Sequence, residues 1–143
     1  PEERMPNAEL VATCRDIALE SGGSVTLTSS VEEACTGADV VYTDIWVSMG
    51  EPAELWEERI KLLSPYQVNS RVIDLMAPTG IFMHCLPAFH DTETTIGAEI
   101  AEKFGITEME VTDEVFRGAR SRVFDEAENR MHSIKAIIYA TLK

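Results

Sequence analysis

Basic residues are scarce in this chain. Twelve Lys and Arg stand against 25 Asp and Glu over 143 residues, for a formal net charge of −13 at pH 7. That balance argues against nucleic acid or an anionic membrane as a partner, because neutralising phosphates takes lysines and arginines. It fits an acidic, soluble protein, and equally one that accepts a cationic small substrate. Cysteine is sparse too. Cys14, Cys35 and Cys85 form no CxxC pair and share no spacing. This excludes the common structural zinc patterns and a disulfide framework, and leads to a reducing, cytoplasmic setting as the expectation. No apolar run approaches the ~20 residues of a membrane span, and no charged-then-apolar leader is visible. The chain opens on PEERMPN with no initiator Met, so the expectation is a piece of a longer protein. Internal repeats and low-complexity tracts are missing as well.

What is present is a core. At 45% hydrophobic content the chain can bury one, and its length is that of a single domain. Helical and strand signals alternate at short spacing, which predicts an α/β fold, doubly wound, with a mostly parallel sheet and helices on both faces. Residues 7–20 have helical spacing and stop at Gly22-Gly23. SVTLT (24–28) reads as a short strand, and Ser30 with Glu33 as a capping box opening a brief helix over 31–36. DVVY (39–42) is a near-continuous apolar run, predicting a strand covered on both faces. Pro52 opens a helix to about residue 63, and 67–76 reads as another before the Pro78-Thr79-Gly80 turn. IFMHC (81–85) is the next strand. Residues 95–104 form a helix closed by Gly105, and 112–116 a short one. SRVF (121–124) reads as a last short strand, before a long helix over 125–142 with an acidic first turn.

Two loops stand out, because each follows the C-terminal end of a predicted strand, where open α/β sheets bind ligands. In HCLP, Cys85 is either a packed core thiol or a ligand-facing one. His84, its neighbour on a strand, points to the opposite face and reads as a buried structural histidine. Leu86-Pro87 is a candidate cis peptide that would aim the Cys85 and Leu86 carbonyls into the cleft. In DIWVSMG, Asp44 either caps a solvated loop or counters an ammonium group, while Ser48 and the loop amides around Met49 can take a carboxylate. In ENRMH, Arg130 either pairs with a neighbour such as Glu126 or reaches the cleft as a bidentate donor.

DIWVSMGE, QVN, FMHCLPAFHD, EVTDEVF and FDEAENRMHSIKA, in that order, resemble the ornithine carbamoyltransferase family over essentially the whole chain. The resemblance implies transfer of the carbamoyl group of carbamoyl phosphate to the δ-amine of L-ornithine. The products would be L-citrulline and phosphate, and no metal or organic cofactor would take part. Position by position, it implies that Asp44 faces the α-ammonium and that Ser48 and the Met49 amide hold the carboxylate. Cys85 would line the δ-amine site, the Leu86 carbonyl would hold the carbamoyl NH₂, and Arg130 would polarise the carbamoyl oxygen. The amine's proton would go to Asp44 acting with Cys85, or to the leaving phosphate. The segment between HCLPA and VTDEV resembles the long form found in many bacterial members, including arginine-catabolic ones.

Three motifs of that family are missing: Ser-x-Arg-Thr-Arg, His-Pro-x-Gln and Gly-Asp-x-x-Asn. The expectation is therefore an ornithine-binding domain over residues 1–124, lacking its first strands. Residues 125–143 would form a helix that packs back on a carbamoyl phosphate domain outside this chain. Alone, the chain should not turn over, and its apolar stripe (Ala127, Met131, Ile134, Ile138, Leu142) should be partly exposed. Full length, the family implies a homotrimer or a multiple of one. Against this enzyme reading stand an amino-acid-binding module without chemistry, a carbamoyltransferase for a related amine, and a truncated domain that mainly associates.

Overall fold

Four of the helices start where a short polar side chain satisfies free main-chain amides, each such cap being worth about 1 kcal/mol. The computed structural model describes residues 1–47, 51–52 and 54–142. In it the Asn7 side chain caps α1 (Ala8–Ser21), accepting from Glu9 N and Leu10 N. Ser30 caps α2 (Val31–Cys35) through Glu33 N at 3.2 Å. Its capping box is indirect, because Glu33 Oε2 accepts from Thr28 Oγ1 at 2.6 Å and that hydroxyl accepts from Ser30 N. After β1 (Val40–Thr43) comes α3 (Leu55–Leu63), then α4 (Ser70–Leu75), capped by Asn69 through Val72 N. β2 (Ile81–His84) precedes α5 (Thr95–Phe104), which Thr94 opens and Gly105 closes at φ 71°, a left-handed conformation that glycine adopts freely. α6 (Asp113–Phe116) and the 19-residue α7 (Val123–Thr141) complete the order.

The fold is α/β with parallel pairing, as the alternation of patterns predicts. β1 and β2 run parallel in the register Val40↔Ile81 to Thr43↔His84. Phe82 extends the ladder on its other side, its N–H donating to Arg120 O and its carbonyl accepting from Arg122 N, both at 2.9 Å. Val68 and Val111 make a further parallel bridge.

Four sequence expectations need correction. Residues 24–28 form no strand, because among the described residues their main chain meets no strand partner; Arg15 Nε alone reaches the Val25 carbonyl, at 3.5 Å. Residues 121–124 give a single bridge at Ser121 and then turn helical, with Val123 buried in the first turn of α7. β1 is not covered on both faces, since Val40 and Tyr42 are 49% and 53% exposed. The helix expected over 67–76 is also shorter, beginning only at Ser70 because Val68 is taken up by its bridge.

Two apolar clusters fix the strand ends. Phe82, Val68, Val72, Val111, Phe116 and Val123 pack around β2. Trp46, Val47, Phe89, Ile100 and Met109 pack beneath the segment that follows β1. Fully burying a side chain such as Phe82 contributes about 1.5–3 kcal/mol. As the sequence leads one to expect, most of α7 has no such cover: Met131, Ile134, Ile138 and Leu142 are exposed, and so are Ile137 and Tyr139.

Candidate active site

Parallel register brings together what the chain separates. With Thr43 opposite His84, the next residues, Asp44 and Cys85, leave their strands at the same edge. The Cys85 thiol donates to Asp44 Oδ1 at 3.0 Å, and that oxygen also accepts from Ile45 N at 2.7 Å. Cys85 is exposed rather than packed. Its thiol is nevertheless pushed up to about 11, by desolvation first and then by the hydrogen bond to Asp44 and that carboxylate's charge. The sulfur is thus held as a protonated thiol at neutral pH.

Arg130, two turns into α7, lines the same cleft as Cys85. The cavity is about 490 Å³, with Tyr42, Glu126, Asn129 and Ser133 also on its wall. The neighbour pairing that the sequence offers Arg130 does not form. Glu126 instead accepts from Tyr42 Oη at 2.6 Å, which pushes that phenol up to about 12. The cleft therefore combines a guanidinium, a thiol tied to one carboxylate and a second carboxylate tied to a phenol. This set can hold a small molecule that carries both cationic and polar carbonyl-like groups.

Leu86-Pro87 is a cis peptide, as the sequence suggests, and Leu86 has φ 50°. The Leu86 N–H donates to His84 Nδ1 at 2.9 Å. Ser48 and Met49 lie outside the described residues. Their flanks are tied together by Arg59, whose Nη1 donates to the Trp46 carbonyl at 3.1 Å and whose Nη2 meets Glu51 at 2.9 Å.

Two residues beside the site escape sequence reasoning. Arg59 is one. Glu110, 0% exposed, is the other: its Oε1 accepts from His84 Nε2 at 3.1 Å and from Phe89 N at 2.7 Å. The available signal is a charge set between Met109 and Val111, both buried. His84 is the buried structural histidine that strand alternation predicts, at 1% exposure.

A cluster of His90, Asp91 and Asp113 has the side-chain types of a metal centre. Arg117 already supplies its positive charge, with Nε 2.7 Å from Asp113 and Nη2 3.0 Å from Asp91. Its hydrogen bond, seconded by His90, holds the Asp113 carboxyl below the usual range.

The aspartate/ornithine carbamoyltransferase, Asp/Orn binding domain, matches residues 1–141. The catabolic ornithine carbamoyltransferase of Treponema denticola is 61% identical over 142 residues, which cover 99% of this chain and 42% of that protein. The ornithine carbamoyltransferase of Staphylococcus aureus strain Newman is 55% identical over 143 residues, 99% of this chain and 43% of its own. The solved ornithine carbamoyltransferase from Pyrococcus furiosus superposes with a TM-score of 0.77 at 39% identity, over 96% of this chain and 38% of that one. The chain spans about two-fifths of the length of the curated relatives it matches. From the length of the match and its agreement in fold, the chain belongs to the aspartate/ornithine carbamoyltransferase family and carries its Asp/Orn binding domain.

Proposed function

We propose that the chain is the ornithine-binding part of an ornithine carbamoyltransferase, which transfers the carbamoyl group of carbamoyl phosphate to the δ-amine of L-ornithine. The observation that carries this reading is the thiol of Cys85, bonded to Asp44 in a cleft that Arg130 also lines. The relatives, named as ornithine carbamoyltransferases, point to the substrates. In the reaction, the neutral δ-amine attacks the carbamoyl carbon, an N–C bond forms, and the C–O bond to phosphate breaks. Asp44 counters the α-ammonium, while Ser48 and the Met49 amide take the carboxylate. Cys85 lines the amine's place, and the Leu86 carbonyl holds the carbamoyl NH₂. Arg130 donates to the carbamoyl oxygen as charge develops there. The amine's proton passes to Asp44 acting with Cys85, or to the departing phosphate. Most of the acceleration comes from placing amine and carbonyl together.

In this reading residues 1–124 form the ornithine-binding unit, and residues 125–143 a helix that packs on the part holding carbamoyl phosphate. The exposed apolar residues of α7 support that placement. The whole enzyme is a cytoplasmic homotrimer, or a multiple of one, in arginine metabolism, and it needs no cofactor. Titration calorimetry of this chain with millimolar L-ornithine should give heat of binding. Citrulline should form only when the chain is combined with the N-terminal three-fifths of the Treponema denticola relative. Absence of ornithine heat, or turnover by this chain alone, overturns the proposal.

A further inference from the structure

We propose that Glu110 is a positioning residue of this site: one oxygen of its buried carboxylate fixes both ends of the turn that presents Cys85 and Leu86. The inference rests on the functional reading above for its purpose, but its geometry stands separately. Glu110 Oε1 accepts from His84 Nε2, at the end of β2, and from Phe89 N, beyond Pro87. His84 passes the constraint inward, its Nδ1 accepting from Leu86 N at 2.9 Å. Because that nitrogen accepts an N–H, it carries no proton, and the ring's proton lies on Nε2, donated to Glu110. Residues 84, 86 and 89 are thus tied to a single carboxylate, with Cys85 between the first two.

Glu110 cannot yield easily. Its own carbonyl accepts from Val68 N at 2.9 Å, and Met109 N donates to the Phe89 carbonyl at 2.8 Å. Its second oxygen is buried with no hydrogen-bond partner among the described residues. A half-satisfied buried carboxylate is a costly choice where apolar packing would serve stability better. What it supplies here is a fixed shape for the turn. A direct proton relay from His84 to the thiol is not the function, since the thiol bonds Asp44 and both imidazole nitrogens are already engaged.

The test reads the turn through Cys85 without any substrate. Each cysteine of the chain is alkylated with iodoacetamide at pH 8 and followed by peptide mass spectrometry, with half-buried Cys14 and Cys35 as internal controls. In Glu110→Ala the released thiol moves from about 11 toward its ordinary value of 9.0. Its thiolate population then rises roughly 100-fold, and the lower nucleophilicity of that thiolate leaves about a tenfold faster reaction. Glu110→Gln keeps an oxygen that can accept both N–H groups, so Cys85 should stay within about threefold of wild type, a rescue that loss of fold would not show. Glu110→Ala reacting at the wild-type rate, or Glu110→Gln reacting like Glu110→Ala, overturns the proposal. Should Glu110→Ala fail to fold, seen as Cys35 reacting in step with Cys85, Glu110→Asp decides. Its shortened side chain reaches one donor at most, so selective Cys85 labelling supports the role and wild-type labelling overturns it. Ornithine calorimetry on the wild-type chain reports on the substrate assignment alone, so the two failures are distinguishable.

Discussion

Cys85 and Asp44, 41 residues apart in the chain, share one proton-bearing contact of 3.0 Å at the end of a parallel strand pair. Burial first, and then this acid, keep the thiol protonated instead of leaving it a thiolate. Asp44→Ala removes both acceptor and charge. The wild-type alkylation rate of Cys85 should rise with pH through an inflection near 11, and the variant's inflection should lie lower. The sign for stability follows from a raised value. The contribution is complete below the thiol's ordinary 9.0 and is lost as pH climbs through about 11. An unchanged inflection in the variant would separate the two residues functionally.

Arg130→Met should leave the ornithine KM within about threefold and lower kcat by roughly 10²–10³, the usual cost of losing one donor to a developing oxyanion. Steady-state citrulline kinetics on the complemented chain measure both. An effect confined to KM would instead make the arginine a binding group.

Gly97 sits inside α5, where alanine would ordinarily stabilise a helix by about 1 kcal/mol. Here a Cβ would lie 2.4 Å from the Asp91 carbonyl oxygen, a backbone atom with little freedom to retreat. Gly97→Ala should therefore reverse the usual sign and destabilise by about 1–3 kcal/mol. Thermal melting followed by circular dichroism would show a lower Tm.

Phe82 is 0% exposed and carries both main-chain bonds of the bridge toward α7. Phe82→Ala should cost about 3–5 kcal/mol, read as a lower urea midpoint. A loss well under 1 kcal/mol would mean that the first apolar cluster is not the centre of stability.

Local rules were legible where local forces decide. Ser30 begins α2 and Gly105 ends α5 at the places their chemistry indicates. The resemblance carried by HCLP and ENRMH implied that Cys85 and Arg130 face one site, and both line one cavity. What escaped depends on partners distant in the chain. An extended pattern at residues 24–28 cannot reveal whether another strand lies alongside, and SRVF is too short to distinguish a strand from a first helical turn. Glu110 looked like one more acid among 25 because its partner His84 lies 26 residues away. Glu126 was offered to Arg130 by helical spacing, but Tyr42, 84 residues away, holds it.

Within α7 only Val123 is fully buried, and beyond it the helix presents Met131, Ile134 and Ile138 uncovered. Arg130 rides on that unsheltered stretch, whereas Cys85 is rooted in the strand edge. One jaw of the cleft is therefore anchored in the strand edge, and the other stands on a helix with an uncovered apolar face. If α7 packs as proposed on the part that holds carbamoyl phosphate, reactivity is answerable to assembly, and the guanidinium comes fully to bear only once that neighbour is seated.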